Sequence, residues 1–231
     1  MRHRSYHGKV LYLTDDIGEM GREWFYVTIQ PGGTRTMRAT CEMDNDRLVR
    51  DVVMTVDANW YPVDAFVRLT INEALVGTSW FYFTDNSAEC QAYTSREGRI
   101  SQSFETDKRT RTFGAHPVHG DAWGLAGWKR DKKIDENGNA IIFSSSHLPN
   151  GGSGPYLHPI DPTLARINYI GFENVTVPAG TFYTEHFQFL VGDYPPIDIW
   201  SYSDDCIPVR LRWDLLNQSY DLVELDYMYY D

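Results

Sequence analysis

The sequence predicts an all-β protein, a curved antiparallel sheet enclosing an aromatic-rich cavity, built as one domain over residues 1–231. Three observations carry that expectation. Strand-like runs recur at short intervals between turn signals, and helical periodicity is nearly absent. Aromatic residues are abundant, with 15 Tyr, 11 Phe and 7 Trp making 14% of the chain. Such rings suit pleated, half-buried surfaces. Tyr and Trp also line ligand pockets, because they pair a large apolar face with one polar handle.

The elements follow in order. Trp24 to Ile29 is aromatic and β-branched and stops at Pro31-Gly32-Gly33. Thr34 to Met43 ends at Asp44-Asn45-Asp46, and Leu48 to Val56 returns. In that return Leu48, Arg50, Val52, Met54 and Val56 share one face, the period of a half-buried strand. Further strands are expected at Val63 to Ile71, Val76 to Phe83, Glu89 to Thr94 and Arg99 to Phe104. Asn137-Gly138, between Trp128 to Ile134 and Ala140 to Ser145, is the strongest hairpin signal, since a type I′ turn needs positive φ at both central residues. Phe172 to Val177 turns at Pro178-Ala179-Gly180 into Thr181 to Val191, and Ile197 to Tyr202, Ile207 to Leu216 and Tyr220 to Tyr229 complete the series. One short helical turn is expected at Pro162 to Arg166, where Asp161 caps and Pro162 takes the first helical position. Thr106 to Gly127 and Ser144 to Pro162 break the meander as irregular stretches, and long loops in a compact domain are usually functional or disordered.

Charge and cysteine usage exclude several classes. The net charge of −11 offers no basic footprint for nucleic acid, and the one basic cluster, Lys129 to Lys133, is followed by Asp135 and Glu136. Cys41, Cys90 and Cys206 are odd in number and far apart, which suggests neither a disulfide framework nor a zinc knuckle. No stretch approaches the ~18 apolar residues of a membrane span. The N-terminal residues lack the apolar run of a signal peptide, so a cytoplasmic location is expected.

Two C-terminal segments carry a family likeness. Phe172-Glu173-Asn174-Val175-Thr176-Val177-Pro178-Ala179-Gly180-Thr181-Phe182 resembles a hairpin of a largely uncharacterised bacterial family related to lipoprotein carriers of the LolA and LppX kind. Asp198 to Arg210, an aromatic strand turning at Asp204-Asp205 and returning through Pro208-Val209-Arg210, resembles that family's next hairpin. The resemblance covers about 40 residues of strand and turn chemistry. It implies one long antiparallel sheet curled into an incomplete, half-open barrel around a hydrophobic cavity, in proteins that often handle lipids.

Histidine is the side chain best suited to acid–base work near neutrality. His3 and His7 fall in the N-terminal tail and His186 in a strand, whereas His116, His119, His147 and His158 fall in the two irregular stretches. If the Asn137-Gly138 hairpin forms, the far ends of its strands bring those stretches together. Three readings follow. In one, a histidine oriented by Asp121 moves a proton on a substrate held among Trp80, Trp123, Trp128 and Trp200, while Tyr156 or a second histidine stabilises charge. In another, His116, His119 and Asp121 join a further histidine around a metal. In the third, the histidines satisfy loop carbonyls. The residues assigned to acid–base chemistry are His116, His119, Asp121, His147, Tyr156 and His158, with no cofactor. The corresponding activity is a lyase, isomerase or hydratase acting on a hydrophobic, aromatic or polycyclic small molecule. The rival is a non-catalytic carrier of a lipid or other hydrophobe.

Overall fold

The computed structural model describes residues 2–126, 141–146, 155–161, 165–191 and 194–229. The N-terminal series is β1 (Arg4–Thr14), β2 (Gly18–Ile29), β3 (Arg35–Met43), β4 (Leu48–Val56), β5 (Pro62–Ile71), β6 (Ala74–Phe83), β7 (Ser87–Thr94) and β8 (Gly98–Glu105). Then come β9 (Thr110–Gly114), helix α1 (Val118–Trp123), β10 (Ile141–Ser146) and β11 (Tyr156–Ile160). The C-terminal series is β12 (Ala165–Val177), β13 (Gly180–Val191), β14 (Ile197–Tyr202), β15 (Ile207–Trp213) and β16 (Gln218–Tyr229).

Thirteen strands form one sheet in the order β12-β13-β14-β15-β16-β1-β2-β3-β4-β5-β6-β7-β8. Every neighbouring pair in it is antiparallel. β12 and β8 end the order without pairing to each other, so the sheet does not close into a barrel. Alternation decides which side chains face inward. Along β2, Glu23, Phe25, Val27 and Ile29 are buried while Trp24 is exposed. Along β4, Leu48, Arg50, Val52, Met54 and Val56 are all buried.

The segment expected as an N-terminal tail is instead β1, hydrogen-bonded to β16 on one side and β2 on the other. Its inward positions Tyr6, Val10 and Tyr12 are buried, so it is held in the middle of the sheet. Gly8 is required there by close approach. A Cβ at Gly8 would lie 2.3 Å from the Glu224 carbonyl oxygen and 2.6 Å from Cζ of Phe25, whose ring occupies the space.

The chain between β8 and β12 supplies a second layer. β9, β10 and β11 form a three-stranded sheet with β10 in the centre, parallel to β9 and antiparallel to β11. One face docks on the N-terminal half of the large sheet. Phe113 packs 4.9 Å from Phe81 and 5.1 Å from Phe83, and Phe143 packs 5.4 Å from Phe104, by ring centroids. Burying each such ring contributes on the order of 2–3 kcal/mol. Gln102 anchors β11, accepting from Leu157 N–H at 2.9 Å and donating to its carbonyl at 3.1 Å. Ser79 donates to the Pro155 carbonyl at 2.6 Å.

These findings revise two expectations. The stretch 106–127, expected to be irregular, holds β9 and α1, whereas Ala165 and Arg166, expected in a helical turn, begin β12. Residues 162–164, and the Asn137-Gly138 turn with its first strand, lie outside the described residues. Both edges of β10 are already taken by β9 and β11.

Candidate functional site

The small sheet and α1 lie against the inner face of the large sheet and leave room beside them. A cavity of about 300 Å³ lies between the small sheet, α1 and the C-terminal part of the large sheet. Ile142, Phe143, Ile160, Ile167, Phe189, Ile197 and Leu211 line it, with Thr112, Ser144, His116, Asp121 and Arg166 as its polar members. The small sheet therefore serves both sides: Leu157 is buried and Phe143 packs on Phe104 while also reaching the cavity, and Ile142, Ser144 and Ile160 border the cavity.

Helix α1 is fixed from below by the large sheet. Pro117 precedes it and provides no side-chain cap, so the first amide donors need a partner from elsewhere. Glu23 supplies it: its carboxylate accepts Val118 N–H at 2.7 Å and His119 N–H at 3.2 Å. Tyr12 Oη–H donates to the same carboxylate at 2.8 Å. Glu23 is fully buried, and that burial raises its carboxyl to about 6 despite these hydrogen bonds. The cross-strand register places Cys41 opposite Glu23 and Arg50 opposite Cys41, so a carboxylate and a guanidinium sit in one inward row.

Asp121 is carried by α1 beside that row, and its exposed remnant looks into the cavity. Burial raises its carboxyl to about 7, Glu23 adds to the rise, and Arg50 opposes it. Its influence reaches Tyr220, whose phenol is raised to about 12, first by burial and then by Asp121.

His119 has a different character. It is fully buried, its Nε2 is 2.9 Å from Tyr6 Oη, and its ring stacks on Phe25 at 4.4 Å. Burial holds the imidazole at about 3, so it is neutral at physiological pH. Among the described residues its Nδ1 has no hydrogen-bond partner, and the ring is packed against the large sheet and α1. His116 precedes Pro117 with φ of 70°, a left-handed conformation uncommon for a residue with a Cβ. Its Nε2 lies 3.3 Å from the Ser145 carbonyl, which can only accept, so that nitrogen carries the proton.

Of the residues singled out by sequence, His116, His119, Asp121 and Trp123 thus belong to one small region, with His116 and Asp121 on the cavity wall. Trp123 is buried against His119 and Trp60. Tyr156 lies apart, donating to Glu97 at 2.9 Å, and His158 is exposed. Trp80 is 42% exposed on the outer face, stacked on Tyr82. Trp200 is also on the outer face, stacked on His186 and donating to Glu173 at 2.7 Å. His147 and Trp128 lie outside the described residues. Among the described residues no group of three His, Cys, Asp or Glu side chains is placed to hold a metal ion.

Sequence reasoning missed Glu23, Arg50, Tyr6 and Tyr12. The signal was present for the first two, since each is a charged residue in phase with apolar neighbours on the buried face of its strand.

The fold and this interior define a class of architecture, a β-barrel-like open sheet that encloses its own inserted layer. Among solved structures, the chain is similar to a β-barrel-like protein of a domain of unknown function (DUF1849) from Brucella abortus. The TM-score is 0.54 at 13% identity, covering 99% of this chain and 98% of the other. A protein with a YmcC-like fold from Bacteroides fragilis matches at TM-score 0.40 and 9% identity over 96% and 95% of the two chains. No family model matches the chain, and no curated protein matches it in sequence. Among the described residues no helix is long and apolar enough to cross a membrane.

Proposed function

We propose that the protein binds a small hydrophobic molecule in the cavity between the small sheet and the C-terminal part of the large sheet. The supporting observation is the cavity wall itself, in which Ile142, Ile160, Ile167, Phe189, Ile197 and Leu211 present apolar surface with few polar groups. Ligand sites are concave, mostly apolar and furnished with a small number of placed polar groups. The volume of about 300 Å³ suits a compact ligand: an apolar cavity half that size holds benzene, so on the order of a dozen heavy atoms fit. The resemblance of residues 172–182 and 198–210 to a family related to carriers of the LolA and LppX kind favours the same reading. Isothermal titration with 1-octanol tests it. Ile160→Trp and Ile197→Trp fill the cavity and abolish binding, while Trp80→Ala on the outer face leaves it unchanged. Equal binding by all four proteins rejects the site.

A second reading rests on Asp121. A carboxyl raised to about 7 beside His116 on an apolar wall has the character of a general acid or base. On this reading the protein is a cofactor-independent lyase, isomerase or hydratase, and Asp121→Asn removes turnover of a bound substrate while sparing its affinity.

A further inference from the structure

The charges around α1 do not balance. Glu23 and Arg50 lie in one inward row, one negative and one positive, separated by Cys41. Asp121 is the third charged group, and among the described residues no salt bridge or hydrogen bond engages its side chain. Among the described residues, the remaining groups near it supply no cation at contact distance. Tyr220 is a neutral phenol raised further by Asp121 itself, and His116 directs its Nε2 proton to the Ser145 carbonyl. Arg166 also lines the cavity, but it is exposed and screened by water. Several other carboxylates of the chain are held closely by guanidinium groups. Asp221 is held by Arg210 at 2.7 Å, Asp57 by Arg109 at 2.8 Å and Asp15 by Arg212 at 2.9 Å. Asp121 has no such partner among the described residues, and it borders an apolar hollow.

A carboxylate enclosed by protein is either neutralised by a proton or paired with a cation. The missing counter-charge lies on the cavity side, where a ligand sits. From this geometry, and resting on the cavity being a ligand site, we infer that the natural ligand is an organic ammonium ion. Its charged nitrogen pairs with Asp121, and its hydrocarbon body lies against Ile142, Ile160, Phe189 and Leu211. Binding completes a two-plus, two-minus cluster of Glu23, Arg50, Asp121 and ligand. The chain's net charge of −11 further favours the approach of a cation.

The test compares n-octylammonium with 1-octanol, matched in length and differing in charge, by isothermal titration at pH 8. There Asp121 is ionised and an alkylammonium keeps its proton. The wild-type protein is expected to bind octylammonium at least tenfold more tightly than octanol. Asp121→Asn is expected to abolish that preference while retaining octanol binding, which also reports that the variant is folded. If octanol binds the wild type as tightly as octylammonium, or Asp121→Asn keeps the preference, the ammonium assignment is overturned and the hydrophobic site stands. If neither compound binds the wild type, the ligand-site reading itself is overturned.

Discussion

Replacing Asp121 by Asn should make the protein more stable, and more so as the pH rises. The carboxyl is raised from an ordinary 3.8 to about 7 in the fold, chiefly by burial, so the folded state holds a proton that the unfolded chain has released. Where the folded state binds more protons, stability falls with rising pH. The contribution of Asp121 is therefore fully present below about pH 4 and is lost as the pH rises through 7. At 1.36 kcal/mol per pH unit, the loss between pH 5.5 and 8 is about 2 kcal/mol, because the slope flattens once the folded carboxyl ionises. Asn keeps the shape and removes the titration. Urea denaturation of both proteins at pH 5.5, 6.5 and 8.0, followed by tryptophan fluorescence, measures the difference. Other titrating groups, including His119 and the overall negative charge, are common to both proteins and largely cancel. The stability advantage of Asp121→Asn should widen by about 2 kcal/mol across that range at unchanged denaturant slope. A difference that stays flat within about 0.5 kcal/mol would refute the claim that burial beside Glu23 raises the Asp121 carboxyl.

Three further outcomes are expected. Glu23→Ala strands the Tyr12 hydroxyl and two amide donors of α1 and should cost about 3 kcal/mol or more in urea denaturation, with a red shift of Trp123 emission as the helix loosens. His119 is held at about 3 by burial, so its ring signals in two-dimensional NMR should not titrate between pH 5 and 8. Its contribution to stability has the opposite sign to that of Asp121: it is present above about pH 6.5 and declines as acid forces the ring to charge. Gly8→Ala drives a methyl group to within 2.3 Å of the Glu224 carbonyl oxygen and should lower the thermal midpoint by several degrees.

Much of the large sheet was legible because antiparallel strands with one buried face write their register into the sequence. The run Leu48 to Val56 shows this plainly, with its inward set separated from its outward set by strict alternation. β1 was harder to read. Its inward set of Tyr6, Gly8, Val10 and Tyr12 is diluted by a glycine whose value lies in a contact with Phe25 that only the paired strands reveal. The inserted layer was legible in location but not in form. β9 pairs with β10 in parallel across a long connection, an arrangement with no local turn to announce it. Helix α1 is six residues long with a glycine inside it, too short for periodicity to register, and its cap comes from Glu23, some 95 residues away. The grouping of His116, His119 and Asp121 was readable from their spacing. Their division of labour was not, because it depends on which side chain meets the cavity and which is sealed beneath it.

The account turns on the cavity between the two sheets, and methyl NMR reads that space directly. With isoleucine methyl groups labelled, addition of 1-octanol should shift Ile142, Ile160, Ile167 and Ile197 in a saturable manner and leave Ile17 and Ile71 in place. Shifts confined to Ile100, beside the outer groove formed by Phe66, Trp80 and Tyr93, or no saturable shift at any methyl group, would contradict it.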